Sequence, residues 1–179
     1  VGTRVLGVRP HTVRIENLNT DIVSNREIHI TNDSTRPMLV HTPTGIRLMR
    51  SSRAIISNHP ISQLDVEGVT NSLGFRHREL GPKTEAEFRI LALGDSILFT
   101  SYLPVEQAFS AMIQSSLARR KPEALRGLQL EVVNAAIGGI DLQNELAILM
   151  ETGLAIEPDV VLVGLYLNDA NVSTYLRVT

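Results

Sequence analysis

Cysteine and tryptophan are both absent from the chain. Without cysteine there is no disulfide framework and no thiolate metal site, which leaves the compartment open. With no tryptophan and aromatic residues at only 4%, the core has to be built from Val, Ile, Leu and Ala. Excess charge is lacking too, since the formal balance is -2 at pH 7. A nucleic-acid surface needs clustered Lys and Arg. The basic clusters here, Arg76-His77-Arg78 and Arg119-Arg120-Lys121, are short and read as solvated surface. No apolar run reaches the roughly 18 to 20 residues of a membrane-spanning helix. The first residue is Val1 rather than Met, so the chain reads as trimmed or processed, with any signal peptide or anchor out of view.

What is present falls into two halves with different periodicity, and 179 residues suffice for one domain with a small appendage. Residues 1–86 form a β-rich N-terminal segment of short extended stretches. "REIHITND" alternates, with Ile28 and Ile30 facing one way and Glu27 and His29 the other. "RPMLVHT", "GIRLMRSSRAIIS" and "QLDVEGVT" follow, separated by turn signals at Thr42-Pro43-Thr44-Gly45 and Asn58-His59-Pro60. This half predicts a small antiparallel layer.

Residues 87–179 follow another pattern. "FRILALGDS" is a continuous apolar strand of the kind buried on both faces of a parallel sheet. Val105, Phe109, Met112, Ile113, Ser116 and Leu117 lie on one helical stripe, opened by Pro104 and closed by Lys121-Pro122. "LQLEVVNAA" is the second strand. Leu142, Leu146, Leu149 and Met150 mark a second helix ending near Gly153, and "PDVVLVGLYLNDA" is the third strand. Strand-helix-strand-helix-strand implies an α/β unit with a parallel sheet and right-handed crossovers.

In open parallel sheets, chemistry gathers where strands end. The first strand ends at Gly94-Asp95-Ser96, the second at Asn134 followed by Gly138-Gly139, the third at Asn168-Asp169. A serine on a sharp strand-to-helix turn is a candidate nucleophile if a base takes its proton. The N–H of Gly139, free of a Cβ, and the Asn168 amide join the Ser96 N–H as candidate oxyanion donors. Singly, each piece has a bland reading. Gly-Asp-Ser arises by chance in roughly one chain in twenty of this length, a Gly-Gly pair is a loop, and Asn-Asp is a helix cap. Their order, each directly after an apolar strand, favours the functional reading. The Gly-x-Ser-x-Gly elbow is not met, because Ile97 and Leu98 follow Ser96.

"LGDS", the Gly139 loop and "LND" resemble the first three sequence blocks of the SGNH (GDSL-type) hydrolases. "TNSLGFRHREL", upstream of the first strand, is similar to the lead-in of a bacterial, often envelope-associated branch. The resemblance covers about residues 70 to 170 and is weak over the first seventy. It implies a flavodoxin-like three-layer parallel sheet, here an incomplete SGNH hydrolase fold. The implied activity is that of an ester hydrolase or O-acyltransferase acting on carbohydrate or small acyl esters, in a periplasmic or other extracytoplasmic setting. Ser96 is the implied nucleophile, and Ser96 N–H, Gly139 N–H and the Asn168 amide the oxyanion hole. Asp95 organises the turn. No metal or organic cofactor is implied.

Departures are visible. Thr100 and Ala136 stand where that branch commonly has Gly, and Ile140-Asp141 replaces an aromatic-hydroxyl pair. The family's base, a His held by an Asp three residues before it, is not found. His11, His29, His41, His59 and His77 all precede Ser96, and the residues three before them are Val8, Arg26, Met38, Ile56 and Gly74. An N-terminal His as substitute base is the weaker alternative. The expectation is therefore of half a machine, weak or inactive alone, with a second chain or a further C-terminal segment covering the third strand. A binding or structural module that kept the sheet and lost catalysis is the rival reading.

Overall fold

The computed structural model describes residues 12–17, 29–30, 38–59, 61–120 and 122–166. Their N-terminal part forms two small antiparallel sheets. Strands β1 (Thr12–Asn17), β2 (His29–Ile30), β3 (Leu39–Thr42), β4 (Gly45–Leu48), β5 (Ser52–Ser57) and β6 (Val66–Val69) pair in the orders β1-β5-β6 and β2-β3-β4. Period-two patterning sets which side chains go inside: Ile46 and Leu48 of β4 and Ala54 and Ile56 of β5 are buried, with partly exposed residues between. The run "GIRLMRSSRAIIS", expected as one extended stretch, is two strands in different sheets. Ser51 breaks it by taking φ 46°, and its N–H bonds the Asn71 carbonyl.

The C-terminal part is a parallel sheet of β7 (Glu87–Gly94), β8 (Gln129–Asn134) and β9 (Val160–Gly164), in the order β8-β7-β9. Central β7 is apolar on both faces and buried from Arg89 to Gly94, as expected of a strand flanked on both edges. β8 pairs it from Glu87↔Gln129 to Ala92↔Asn134, and β9 from Ile90↔Val160 to Gly94↔Gly164. One apolar core spans both parts of the chain. Leu39, Ile46, Leu48 and Phe75 pack in the same cluster as Leu91, Leu93, Val133 and Ile137.

The helices depart from expectation in their faces. After a single turn, α1 (Ser96–Phe99), the chain forms a 3₁₀ turn at Val105–Gln107 and then α2 (Phe109–Arg120). Ala108 is extended (φ -66°, ψ 155°), which breaks the helical phase between Val105 and Phe109. Phe109 and Met112 are exposed, and the buried position of α2 is Ser110. Ile113, Ser116 and Leu117 of the expected stripe are half-buried, and Gln114 Oε1 accepts the Val132 N–H of β8 at 2.9 Å, a polar tie between this helix and the sheet. In α3 (Leu142–Ile148) and the turn after it, three of the four predicted stripe residues, Leu142, Leu146 and Met150, are exposed, while Leu149 packs against the core and Glu145 and Ile148 are buried. A π-helical turn at Leu149–Gly153 adds a residue to the winding and re-aims the helix. It brings Gly153 so close to β7 that a Cβ there would stand 2.7 Å from Leu91 Cδ2.

No helix among the described residues is long and apolar enough to cross a membrane. The two edges of the parallel sheet differ. Gln114 occupies a donor of β8, whereas no described strand pairs with the outer edge of β9. There Val160, Val161 and Val163 are exposed.

Candidate functional site

Ser96 stands directly beyond the C-terminal end of β7 and is solvent-exposed. The chain reverses from strand to helix within one residue because Asp95 caps the turn. Asp95 is extended, and its Oδ1 accepts the Ile97 N–H at 2.8 Å, as an N-cap carboxylate does. Asp95 is 1% exposed, and its Oδ2 is buried with no hydrogen-bond partner. The acid therefore builds the turn from beneath while the serine faces out.

Leu98 seats α1 on the sheet. It is buried against Gly94 of β7 and Gly164 of β9, which are register partners at the strand ends. Any Cβ at either glycine would crowd it: Leu98 Cδ2 would lie 2.9 Å from one at Gly94 and 2.6 Å from one at Gly164. The turn closes at Thr100, whose φ 46° and ψ 46° lie in the left-handed region and whose N–H bonds the Ser96 carbonyl. That conformation favours glycine, so threonine holds it at a cost.

The second loop reaches the serine along β7. Past the end of β8, the N–H of Ala135 bonds Ala92 O at 2.9 Å and that of Ile137 bonds Gly94 O at 3.1 Å. Gly138 is thereby laid against the turn: a Cβ on it would lie 3.7 Å from Ser96 Cβ, in ordinary van der Waals contact. Gly139, with φ 79°, follows at the surface. Neither the Ser96 N–H nor the Gly139 N–H has an acceptor among the described residues. Asn134 is buried; its Oδ1 accepts the Ala136 N–H and its Nδ2 donates to Leu98 O. It fastens the loop to α1 and takes no open position.

The far side of the loop is pinned by the N-terminal hairpin. Asp141 caps α3 by accepting the Asn144 N–H at 3.0 Å, and Asn144 Oδ1 accepts the Ile46 N–H of β4 at 2.9 Å. Of the predicted site region, the structure lays Gly138 beside Ser96, and Gly139 follows it at the surface. Asn168 lies outside the described residues, as does its neighbour Asp169.

Ser96 Oγ has no hydrogen-bond partner among the described residues. His11 lies outside them, and His29 is on β2 and His41 on β3. His59 is buried, with its Nδ1 accepting the Ile61 N–H and its ring 6.5 Å from that of Tyr102. His77 Nε2 meets Glu131 Oε1 at 2.7 Å, and Arg78 also pairs with Glu131. Burial pushes the His77 imidazole below its ordinary value, against the opposing pull of Glu131. Glu131 is the register partner of Arg89, five residues before Gly94. At about 3.3 Å per strand residue, that puts the His77–Glu131 pair roughly 17 Å from the serine end of the sheet. This pair lines a separate cleft of about 470 Å³ with Glu106, Ser110 and Gln114.

The Arg76-His77-Arg78 cluster, read as solvated surface, needs correction. Arg76 is 2% exposed, and His77 is largely buried. Sequence reasoning also passed over Gly164, whose signal was a glycine at the end of an otherwise apolar strand. No group of three His, Cys, Asp or Glu side chains suited to a metal ion occurs among the described residues. Comparison of the chain with protein families, curated proteins and solved structures finds no match.

Proposed function

We propose that the chain is a serine acyl-transfer module of SGNH type, acting on small or carbohydrate acyl esters. The observation that carries this reading is the placement of Ser96: an exposed hydroxyl on a capped turn after the central strand, with a glycine loop against it. The strand order β8-β7-β9, second-first-third along the parallel sheet, is that with which a flavodoxin-like sheet begins. Its crevice falls at the strand C-termini between the first and third strands, where the order reverses. Ser96 and Gly164 flank that point.

In this reading Ser96 Oγ attacks the ester carbonyl carbon as its proton passes to a base. The N–H groups of Ser96 and Gly139, with the Asn168 amide, receive the charge on the carbonyl oxygen. The C–O bond of the ester breaks, the proton goes to the leaving alkoxide, and water or an acceptor hydroxyl then takes the acyl group from Ser96. Each such donor contributes about 3–4 kcal/mol to the transition state. The base belongs to an Asp-x-x-His block, and an added strand, from this or a second chain, covers the apolar outer edge of β9. An extracytoplasmic setting goes with the same reading. The rival is a module without catalysis, and what favours it is that Ser96 Oγ has no hydrogen-bond partner among the described residues.

A fluorophosphonate probe separates the two. Without a base, labelling of Ser96 is expected to be slow, since oxyanion donors and binding leave only about 10³-fold over water. Added imidazole supplies the missing proton acceptor and should accelerate labelling severalfold, with Ser96→Ala abolishing it. Labelling that is indifferent to Ser96, or insensitive to imidazole, speaks for the non-catalytic module. Fast labelling without imidazole would show that a base is already present.

A further inference from the structure

Arg76 poses a problem in electrostatics. Its side chain is among the most deeply buried in the protein, yet none of the described ion pairs involves it. Its charge is met instead by three backbone carbonyls. Nη1 donates to Phe99 O at 2.8 Å and Thr100 O at 3.0 Å, and Nη2 donates to Leu103 O at 2.7 Å. The guanidinium carbon lies 5.6 Å from the centre of the Phe99 ring. Burial pushes the group down to about 10, with Glu106 opposing, so it stays charged at neutral pH.

Phe99 O is the last carbonyl of α1, Thr100 O belongs to its left-handed cap and also accepts the Leu103 N–H, and Leu103 O lies three residues further along the exit from the turn. A single helical turn cannot hold itself in water, because nucleation fixes several residues for one hydrogen bond. Asp95 secures its near end and Arg76 its far end, the planar fork spanning carbonyls that a point charge would not span together. The loop that delivers Arg76 is itself built for the task. Asn71 Oδ1 accepts the N–H groups of Leu73 and Phe75, and its Nδ2 donates to Arg78 O. Gly74, at φ 81°, passes so close to β4 that a Cβ would stand 2.9 Å from Leu48 O. Phe75 enters the common core.

We infer that Arg76 is the positioning residue of the Ser96 turn: the buried guanidinium, carried by the Asn71–Gly74 loop and bound to the carbonyls of Phe99, Thr100 and Leu103 at the end of α1 and just beyond it, holds the serine's helix in place from outside the sheet. Calling Ser96 a nucleophile rests on the function proposed above; the clamp itself does not.

The test is amide hydrogen exchange on the full chain. In Arg76→Ala, the Phe99, Thr100 and Leu103 amides, which close the turn on Asp95, Ser96 and Thr100, should exchange about 10- to 100-fold faster, the loss expected for hydrogen bonds to a charged group. Ile90 to Leu93 in β7 should keep their protection. Guanidinium ion at low millimolar concentration should restore the turn, and sodium chloride at equal ionic strength should not. Arg76→Lys, which keeps charge without the fork, should fall between the two and serves if the alanine variant does not fold. Unchanged exchange in the turn, equal loss across β7, or failure of guanidinium rescue would each overturn the inference. Fluorophosphonate labelling is read in parallel. A wild type that is never labelled removes the hydrolase reading while leaving the exchange result standing.

Discussion

Gly164 ends β9 opposite Gly94, and Leu98 fills the notch the two leave. Gly164 does not have a positive φ, so alanine there meets no backbone strain, and any cost is one of space. A Cβ would overlap Leu98 Cδ1 and stand 2.6 Å from Cδ2 and 2.9 Å from Cγ. Because Cγ is among the atoms struck, rotating the tip of the leucine does not clear the clash, and α1 must move. Overpacking of this kind costs about 1–3 kcal/mol. At about 2–4 °C per kcal/mol for a chain of this size, Gly164→Ala should lower Tm by about 3–10 °C. Leu98→Ala alone removes a buried leucine, 7% exposed, at about 2–5 kcal/mol. In the Leu98→Ala background the new methyl has room, so the double variant should be more stable than the sum of the singles by about 1–3 kcal/mol. Urea unfolding of the four proteins measures this coupling directly. Simple additivity would show that Leu98 and Gly164 do not share the notch, and the account of how α1 is seated would fail.

Thr100→Gly should stabilise the protein. A threonine in the left-handed region costs about 1–2 kcal/mol, and glycine gives back about 0.5–1 kcal/mol in unfolded-chain entropy, so a thermal melt should rise by a few degrees at most. His77 should make stability depend on pH. Its folded value is held down by burial, so as pH falls through about 6.5 the unfolded chain takes up the proton first. Stability present above that pH is lost as pH drops towards the folded value, and urea midpoints across this range should show the fall. His77→Gln should flatten it, whereas an unaltered slope would assign it to other groups.

The strands were legible because period two and continuous apolar runs follow from burial on one face or on both. The capped turn at Ser96 was legible for a related reason: Gly-Asp-Ser directly after a strand has few conformations open to it. The faces of the helices were not. Apolar spacing marks α3 but does not say which way it points: Glu145 and Ile148 face inward and Leu146 outward, and the π-helical turn that follows is announced by no local residue pattern. Arg76 was misread because an arginine in a basic cluster looks solvated unless its partners are known, and these are carbonyls 23 or more residues away. Backbone acceptors carry no sequence signature. That the loop after the second strand comes against the serine turn, through Gly138, follows from strand ends alone, while the hairpin that braces the loop through Ile46 and Asn144 depended on a contact 98 residues apart.

That long-range brace has a kinetic side. The β3–β4 hairpin has only local pairing to wait for, but the Asn144 it binds and the core it shares arrive much later. At synthesis rates of about 5–20 residues per second, the interval is on the order of 5–20 s, far longer than hairpin formation takes. Through that time Leu39, Ile46 and Leu48 have no α3 to pack on, and β8 is complete only near its end, at Asn134. The parallel sheet, whose pairings join residues far apart in sequence, is the slow step. A nascent chain should therefore be most open to chaperones or to misassociation through this apolar face, and slowing translation ahead of β9 should lengthen that exposure.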